Sequence, residues 1–169
     1  MGRVSVKENK TVYQQCREKL GLSREKASQV LGWLSPEQIE KIENGKTALT
    51  PEAVLAMSEG YKEPSLCNHY CSNECPIGRQ YVPEIKIKDL SQIVLAMLAS
   101  LNSMNKKQER LIEISADGKI GADEIEDFIY IQNELDKMSV TVEALRLWAE
   151  QMVANGNIDA ELYNAAKNK

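Results

Sequence analysis

Between Ser23 and Gly45 the apolar positions come in two short helical bursts broken at a glycine, SREKASQVLG and WLSPEQIEKIENG. Ser23 is placed to cap a first helix running through Val30, its hydroxyl accepting a first-turn amide, with Glu25 favourable to the helix dipole there. Gly32 ends that helix. The second start is sharper: Ser35 caps, Pro36 takes the first helical position where no amide is needed, and Gln38 closes a capping box. Ile39 and Ile42 give this helix a buried side, and Asn44-Gly45 stops it. Helices this short cannot bury a core alone, so covering helices are expected on both sides. Thr11 to Leu20, with Val12, Cys16 and Leu20 on one side, and Thr50 to Glu59, with Val54, Leu55 and Met57 before a terminating Gly60, supply them.

The second half has a longer rhythm. After an extended stretch from Tyr81 to Ile85, Asp89 caps a long helix whose apolar residues recur as Leu90, Val94, Met97, Leu101, Met104 and Leu111. Past Asp117-Gly118 the pattern resumes with Ile125, Phe128, Ile131, Leu135, Met138, Val142, Leu145 and Met152. Intervals of three and four trace a coiled-coil seam, and two such helices joined by a short turn make an antiparallel hairpin with rods of roughly 40 to 50 Å. Ile93, Leu98, Ile112, Ile129 and Leu147 fall outside the seam, so a further layer is needed. Either the N-terminal part folds back or a second copy completes a four-helix bundle. A homodimer through Asp89 to Met152 is the expected assembly. A last weak helix is expected from Asp159 to Lys169.

The run GLSREKASQVLG followed by IEKIENGKTALTPEAVLAMSEGY resembles the helix-turn-helix domain of Cro/phage-repressor-type (XRE family) transcription regulators. The resemblance covers about residues 10 to 62 and is most specific at Ile39, Ile42, Glu43, Asn44 and Gly45. It implies that the second helix of the pair enters the major groove with its N-terminal residues on base edges, while neighbouring helix and turns hold phosphates. Ser35, Glu37, Gln38 and Lys41 would then face double-stranded DNA, with Ser23, Arg24, Asn44 and Lys46 as flanking contacts. The turn Gly32-Trp33-Leu34-Ser35 is one residue longer than the family pattern. The reading helix also carries Glu37, Glu40 and Glu43 against Lys41. A carboxylate can accept from cytosine N4 and glutamine can pair with adenine, whereas negative charge opposes the phosphate attraction that supplies much of the affinity. A protein-protein interaction module with a degenerate helix-turn-helix, possessing metal or redox response, is the alternative.

The fold class implied is all-α, a helix-turn-helix domain of four to five short helices, a cysteine-rich connector and a long antiparallel hairpin. The expected division is a loose arm at 1–10, the helix-turn-helix at 11–63, the connector at 64–88 and the hairpin at 89–169. Composition agrees: one Phe and five prolines among 169 residues, with 43% apolar and 27% charged, lean towards a soluble helical protein. Net charge is −4, and the excess of acid lies beyond Ser65. This is not a strongly basic nucleic-acid binder. No stretch approaches the roughly 20 apolar residues of a membrane span, and MGRVSVKENK has no apolar core of a secretory signal. A cytoplasmic protein without a membrane partner is expected, its four cysteines reduced or metal-bound rather than bridged.

Three cysteines and the sole histidine crowd into Cys67, His69, Cys71 and Cys75. Zinc takes four such ligands in a tetrahedron, although C-x-H-x-C-x3-C is not a common zinc-finger spacing. On a helix the three thiols would form one stripe, able to hold an iron-sulfur cluster with Cys16 as fourth ligand. Zinc is the preferred metal; apolar packing and a Cys71 to Cys75 disulfide are the other readings. Glu113 to Glu124 aligns with a calcium loop, Gly118 at the sixth position and Glu124 at the twelfth, but Glu113 and Ser115 are poor first and third ligands, so a helix end is favoured over calcium. One histidine, no phosphate-cradling loop and no nucleophile with its base argue against an enzyme, and no small-molecule substrate is indicated.

Overall fold

The computed structural model describes residues 10–86, 89–116 and 118–167. The expected arm, save Lys10, and Asp117 of the expected turn lie outside them. The described residues are all-helical, without a strand: α1 Val12–Lys19, α2 Arg24–Leu31, α3 Pro36–Glu43, α4 Pro51–Gly60, α5 Ser65–Asn73, α6 Gly78–Tyr81, α7 Leu90–Ser115, α8 Ile125–Ala154 and α9 Ala160–Lys167. They divide into two compact units, one of Met1–Glu84 with Glu150–Lys169, the other Ile85–Ala149.

The starts of the short helices follow their side-chain chemistry. Thr11, Ser23, Ser35 and Thr50 each accept an amide hydrogen bond three residues on, and at Ser35 the capping box is complete. Gly32 and Gly45 carry the positive φ that ends α2 and α3. Gly60 behaves differently. It remains within α4, and the left-handed residue is Lys62, two places on. What Gly60 supplies is proximity: a Cβ there would stand 2.7 Å from Cδ2 of Leu31, so that side chain would have to move aside.

The core of the first unit is Tyr13, Ala27, Leu31, Leu34, Ile39, Ile42, Ala53, Val54, Met57, Tyr61 and Leu66. Each large apolar side chain buried there stabilises the fold by about 1.5 to 3 kcal/mol. Two expectations are corrected. Helix α1 faces the core with Tyr13, Gln14 and Arg17, while Leu20 is exposed and Val12 and Cys16 only border the core. Leu55 of α4 is likewise exposed, Ala53 taking the inward place. The cause on α1 is chemical: the Tyr13 hydroxyl donates to Glu74 at 2.8 Å and Arg17 finds a carboxylate inside, so long amphipathic side chains replace aliphatic ones. Residues 64–84 carry α5 and α6 and group with the helix-turn-helix, Leu66 being part of its core.

The second unit is built on the hairpin of α7 and the greater part of α8. Asp89 caps α7, accepting from the Gln92 amide at 2.9 Å. The inner line is not the expected seam. Buried on α7 are Ile93, Ser100 and Ile114, and on α8 Ile131, Glu134, Thr141, Ala144 and Leu147. Of the expected seam only Ile131 is buried, and Leu90, Leu101, Ile125, Leu135 and Val142 are exposed. Polar contacts accompany this line: Ser103 pairs with Tyr130 at 2.7 Å, and Asp127 accepts from Lys107 at 3.0 Å and Arg110 at 2.9 Å. At the turn, Glu113 belongs to the last turn of α7 and pairs with Arg110, while a Glu124 carboxylate oxygen accepts from the Gly121 amide at 2.9 Å.

Candidate nucleic-acid interface

Helices α2 and α3 enclose the turn Gly32-Trp33-Leu34-Ser35, held open by the positive φ of Gly32 and anchored by buried Leu34. Ile39, Ile42 and Glu43 form the inner stripe of α3, at the i, i+3, i+4 spacing of one helix face. The outer face is therefore Glu37, Gln38, Glu40 and Lys41, all exposed, with Ser35 and Pro36 half-buried at its start.

Glu43 is 1% exposed and is the centre of an ion cluster. Arg17 grips it with two hydrogen bonds, Nε to Oε1 at 2.5 Å and Nη2 to Oε2 at 2.9 Å, and Arg24 Nε adds a third at 3.0 Å. Arg17 Nη1 also donates to the Leu22 carbonyl at 2.6 Å, which binds the turn before α2 to the same cluster. Its guanidinium is held above its ordinary range by the Glu43 hydrogen bond, against desolvation. With two arginines on its carboxylate, Glu43 contributes no bare negative charge to the outer face. A sequence count of three glutamates on α3 overstates its acidity by one.

The expected contacts separate into three roles. Ser23 and Ser35 are caps, with Ser35 also holding the Glu37 carboxyl below its ordinary range. Arg24 reaches inward to Glu43, and Asn44 is the half-buried C-cap of α3. Gln38 lends its side-chain oxygen to the Ser35 amide at 2.8 Å, so its orientation is pinned within the capping box. Lys41 and Lys46 are exposed, as are Glu37 and Glu40. The residue missing from the sequence reading is Arg17. Its signal was present: Glu43 sits on the stripe of Ile39 and Ile42, and a carboxylate placed on a core face requires a cation.

The cysteine-histidine group is differently disposed. Cys67 packs on the first unit's core. Burial pushes the Cys71 thiol up, with Cys75 and Cys67 adding to it. Cys75 Sγ accepts from the Gly78 amide at 3.4 Å, and Gly78 lies so close to α5 that a Cβ would meet the Cys71 carbonyl oxygen at 2.0 Å. His69 looks elsewhere: its ring stands edge-on to Tyr13, centroids 6.2 Å apart, and its Nε2 is 3.8 Å from Glu74. Cys67, His69, Cys71 and Cys75 are thus not brought together as one ligand set. Among the described residues no three His, Cys, Asp or Glu side chains converge where they could hold a metal ion. Cys16 is apart on α1, its thiol pushed up to about 11 by burial and then by Glu63.

Among the described residues no helix is long and apolar enough to cross a membrane. Comparison with curated proteins and comparison with solved structures gave no match. Residues 14–65 match the family model described as helix-turn-helix, a family of DNA-binding regulator domains and not of enzymes. That span starts in α1, ends where α5 begins, and contains the whole Arg17–Glu43–Arg24 cluster. The N-terminal part of this chain is a helix-turn-helix domain of the Cro/phage-repressor (XRE) type.

Proposed function

We propose that the chain is a sequence-specific transcriptional regulator of bacterial or phage type, acting in the cytoplasm, that binds double-stranded DNA through α3 and dimerises through its hairpin. The observation that carries the reading is the inward Glu43: with its charge met by Arg17 and Arg24, α3 keeps Ser35, Gln38 and Lys41 as a short polar reading edge. Dimerisation is supported by the apolar side chains the hairpin leaves outside, Leu95, Leu98, Leu101 and Ile112 on α7 and Ile129, Leu135 and Val142 on α8. A two-fold dimer also suits half-sites spaced by one turn of duplex. Such a protein has no chemistry of its own; it occupies an operator and excludes or recruits polymerase.

The test is enrichment from a randomised duplex pool by the full chain, followed by titration of the enriched duplex across a range of salt. A regulator that contacts phosphates loses affinity steeply as salt rises. The exposed Glu37 and Glu40 favour the second reading, a protein-protein module, and that reading is adopted if no duplex is enriched.

A further inference from the structure

The turn between α2 and α3, Gly32-Trp33-Leu34-Ser35, places its two large apolar residues differently. Gly32 reverses the backbone and Leu34 drops into the core, which leaves Trp33 outside, 56% exposed. An indole is a costly residue to leave in water, and the core of the first unit does not include it. Trp33 is not isolated on the surface. It borders a recess of about 280 Å³ with Gln38 and Lys41 of α3 on one side and Thr47 and Thr50 on the other. Two of the outward residues of α3 therefore share a concavity with the turn tryptophan.

The charge on α3 makes this placement consequential. Its exposed side chains include Glu37 and Glu40 against Lys41, so attraction to phosphate is weak along the helix itself. A contact that gains from excluding water, and not from releasing counterions, would supply affinity that this face lacks.

We infer that Trp33 is a DNA contact, its indole packing on deoxyribose and base edges beside the bases within reach of Gln38 and Lys41. The inference rests on the proposed DNA-binding reading and names a residue through which it operates. Tryptophan suits the place because its broad face covers apolar sugar and thymine methyl surface while its Nε1–H can donate to an acceptor at the rim. Trp33 thus gives a helix-turn-helix of low positive charge an apolar foothold.

The experiment uses the full chain and the duplex enriched by the wild-type protein from a randomised pool. Trp33→Ala is expected to weaken binding about tenfold, the loss typical of removing an aromatic anchor, with the slope of log affinity against log salt unchanged. Lys46→Ala is expected to reduce that slope by about one, and Trp33→Phe to recover most of the lost affinity. In a Trp148→Phe background, which leaves Trp33 as the sole indole, duplex is expected to change the fluorescence. Trp33→Ala binding as wild type does, or an indole signal indifferent to duplex, overturns the inference and leaves the DNA reading standing. If the wild-type chain enriches no duplex, the DNA reading itself falls and this inference falls with it.

Discussion

The two units solve the problem of burying a helix face in opposite ways. The helix-turn-helix unit encloses Ile39, Met57, Val54 and Leu66 almost completely and admits a buried ion pair, Arg17 with Glu43, to which Arg24 adds a second guanidinium. The hairpin encloses few apolar residues, puts Ser100, Glu134 and Thr141 on its inner line, and leaves leucines and isoleucines outside. A four-sided packing of short helices can surround a side chain; two rods have only one line of contact. The first unit gathers its buried residues around one core, whereas the second buries a narrow line and leaves apolar side chains on its outer faces, the surface on which the proposed dimer rests.

The largest expected effect breaks the first half of this contrast. Glu43→Ala leaves Arg17 inside without its carboxylate and is expected to cost about 3 to 5 kcal/mol, seen as a lower melting temperature. Glu43→Met combined with Arg17→Met should avoid much of this loss, because an apolar pair of similar volume carries no desolvation cost; a double mutant as unstable as Glu43→Ala refutes the ion-cluster account.

The hairpin should respond inversely. Leu98→Glu with Leu135→Glu, both positions about half exposed, should leave helix content intact while raising the dimer dissociation constant on the order of a hundredfold. Sedimentation showing an unchanged dimer would place the interface elsewhere.

Smaller effects sharpen the comparison. Ser35→Ala removes the cap of α3 and is expected to cost about 1 kcal/mol, readable by chemical denaturation. In the hairpin, the Asp127 carboxyl is held below its ordinary value of 3.8 by Lys107 and then Arg110. Its contribution is present above the ordinary carboxylate pKa and disappears as pH falls through the depressed one. Acid titration of the wild type should show this loss below about pH 4, and Asp127→Asn should flatten it. The smallest expected effect is that of chelation. With no three His, Cys, Asp or Glu side chains converging on a metal site among the described residues, EDTA should leave the melting curve in place; a drop with release of stoichiometric zinc would require α5 to rearrange.

Legibility differed between the units for physical reasons. Ser35, Pro36 and Gln38 act on amides three residues away, so their cap could be read from adjacent letters, and the same holds for Thr11, Ser23, Thr50 and Asp89. Gly60 could not be read in this way, since its role is set by Leu31, a residue of another helix. On α1 the hydrophobic pattern selected Val12, Cys16 and Leu20, because hydropathy cannot register that Tyr13 and Arg17 have polar partners waiting at Glu74 and Glu43. In the hairpin the apolar stripe is too broad to choose a line of contact, and the buried line runs through Ile93, Ser100, Ile131, Glu134 and Thr141 instead.

The sequence by itself determined the all-helical class, the starts of α1 to α4 and of α7, the helix-turn-helix and the presence of a hairpin, since these depend on local hydrogen bonding and periodicity. It did not determine α5 and α6, which lie in the expected connector. The tertiary structure alone decided which face of each helix is inside, that Glu43 is a buried anchor, that His69 stands against Tyr13 and Glu74, and that Trp33 is left at the rim beside Gln38 and Lys41. Those outcomes depend on partners distant along the chain, and only packing brings such partners within reach.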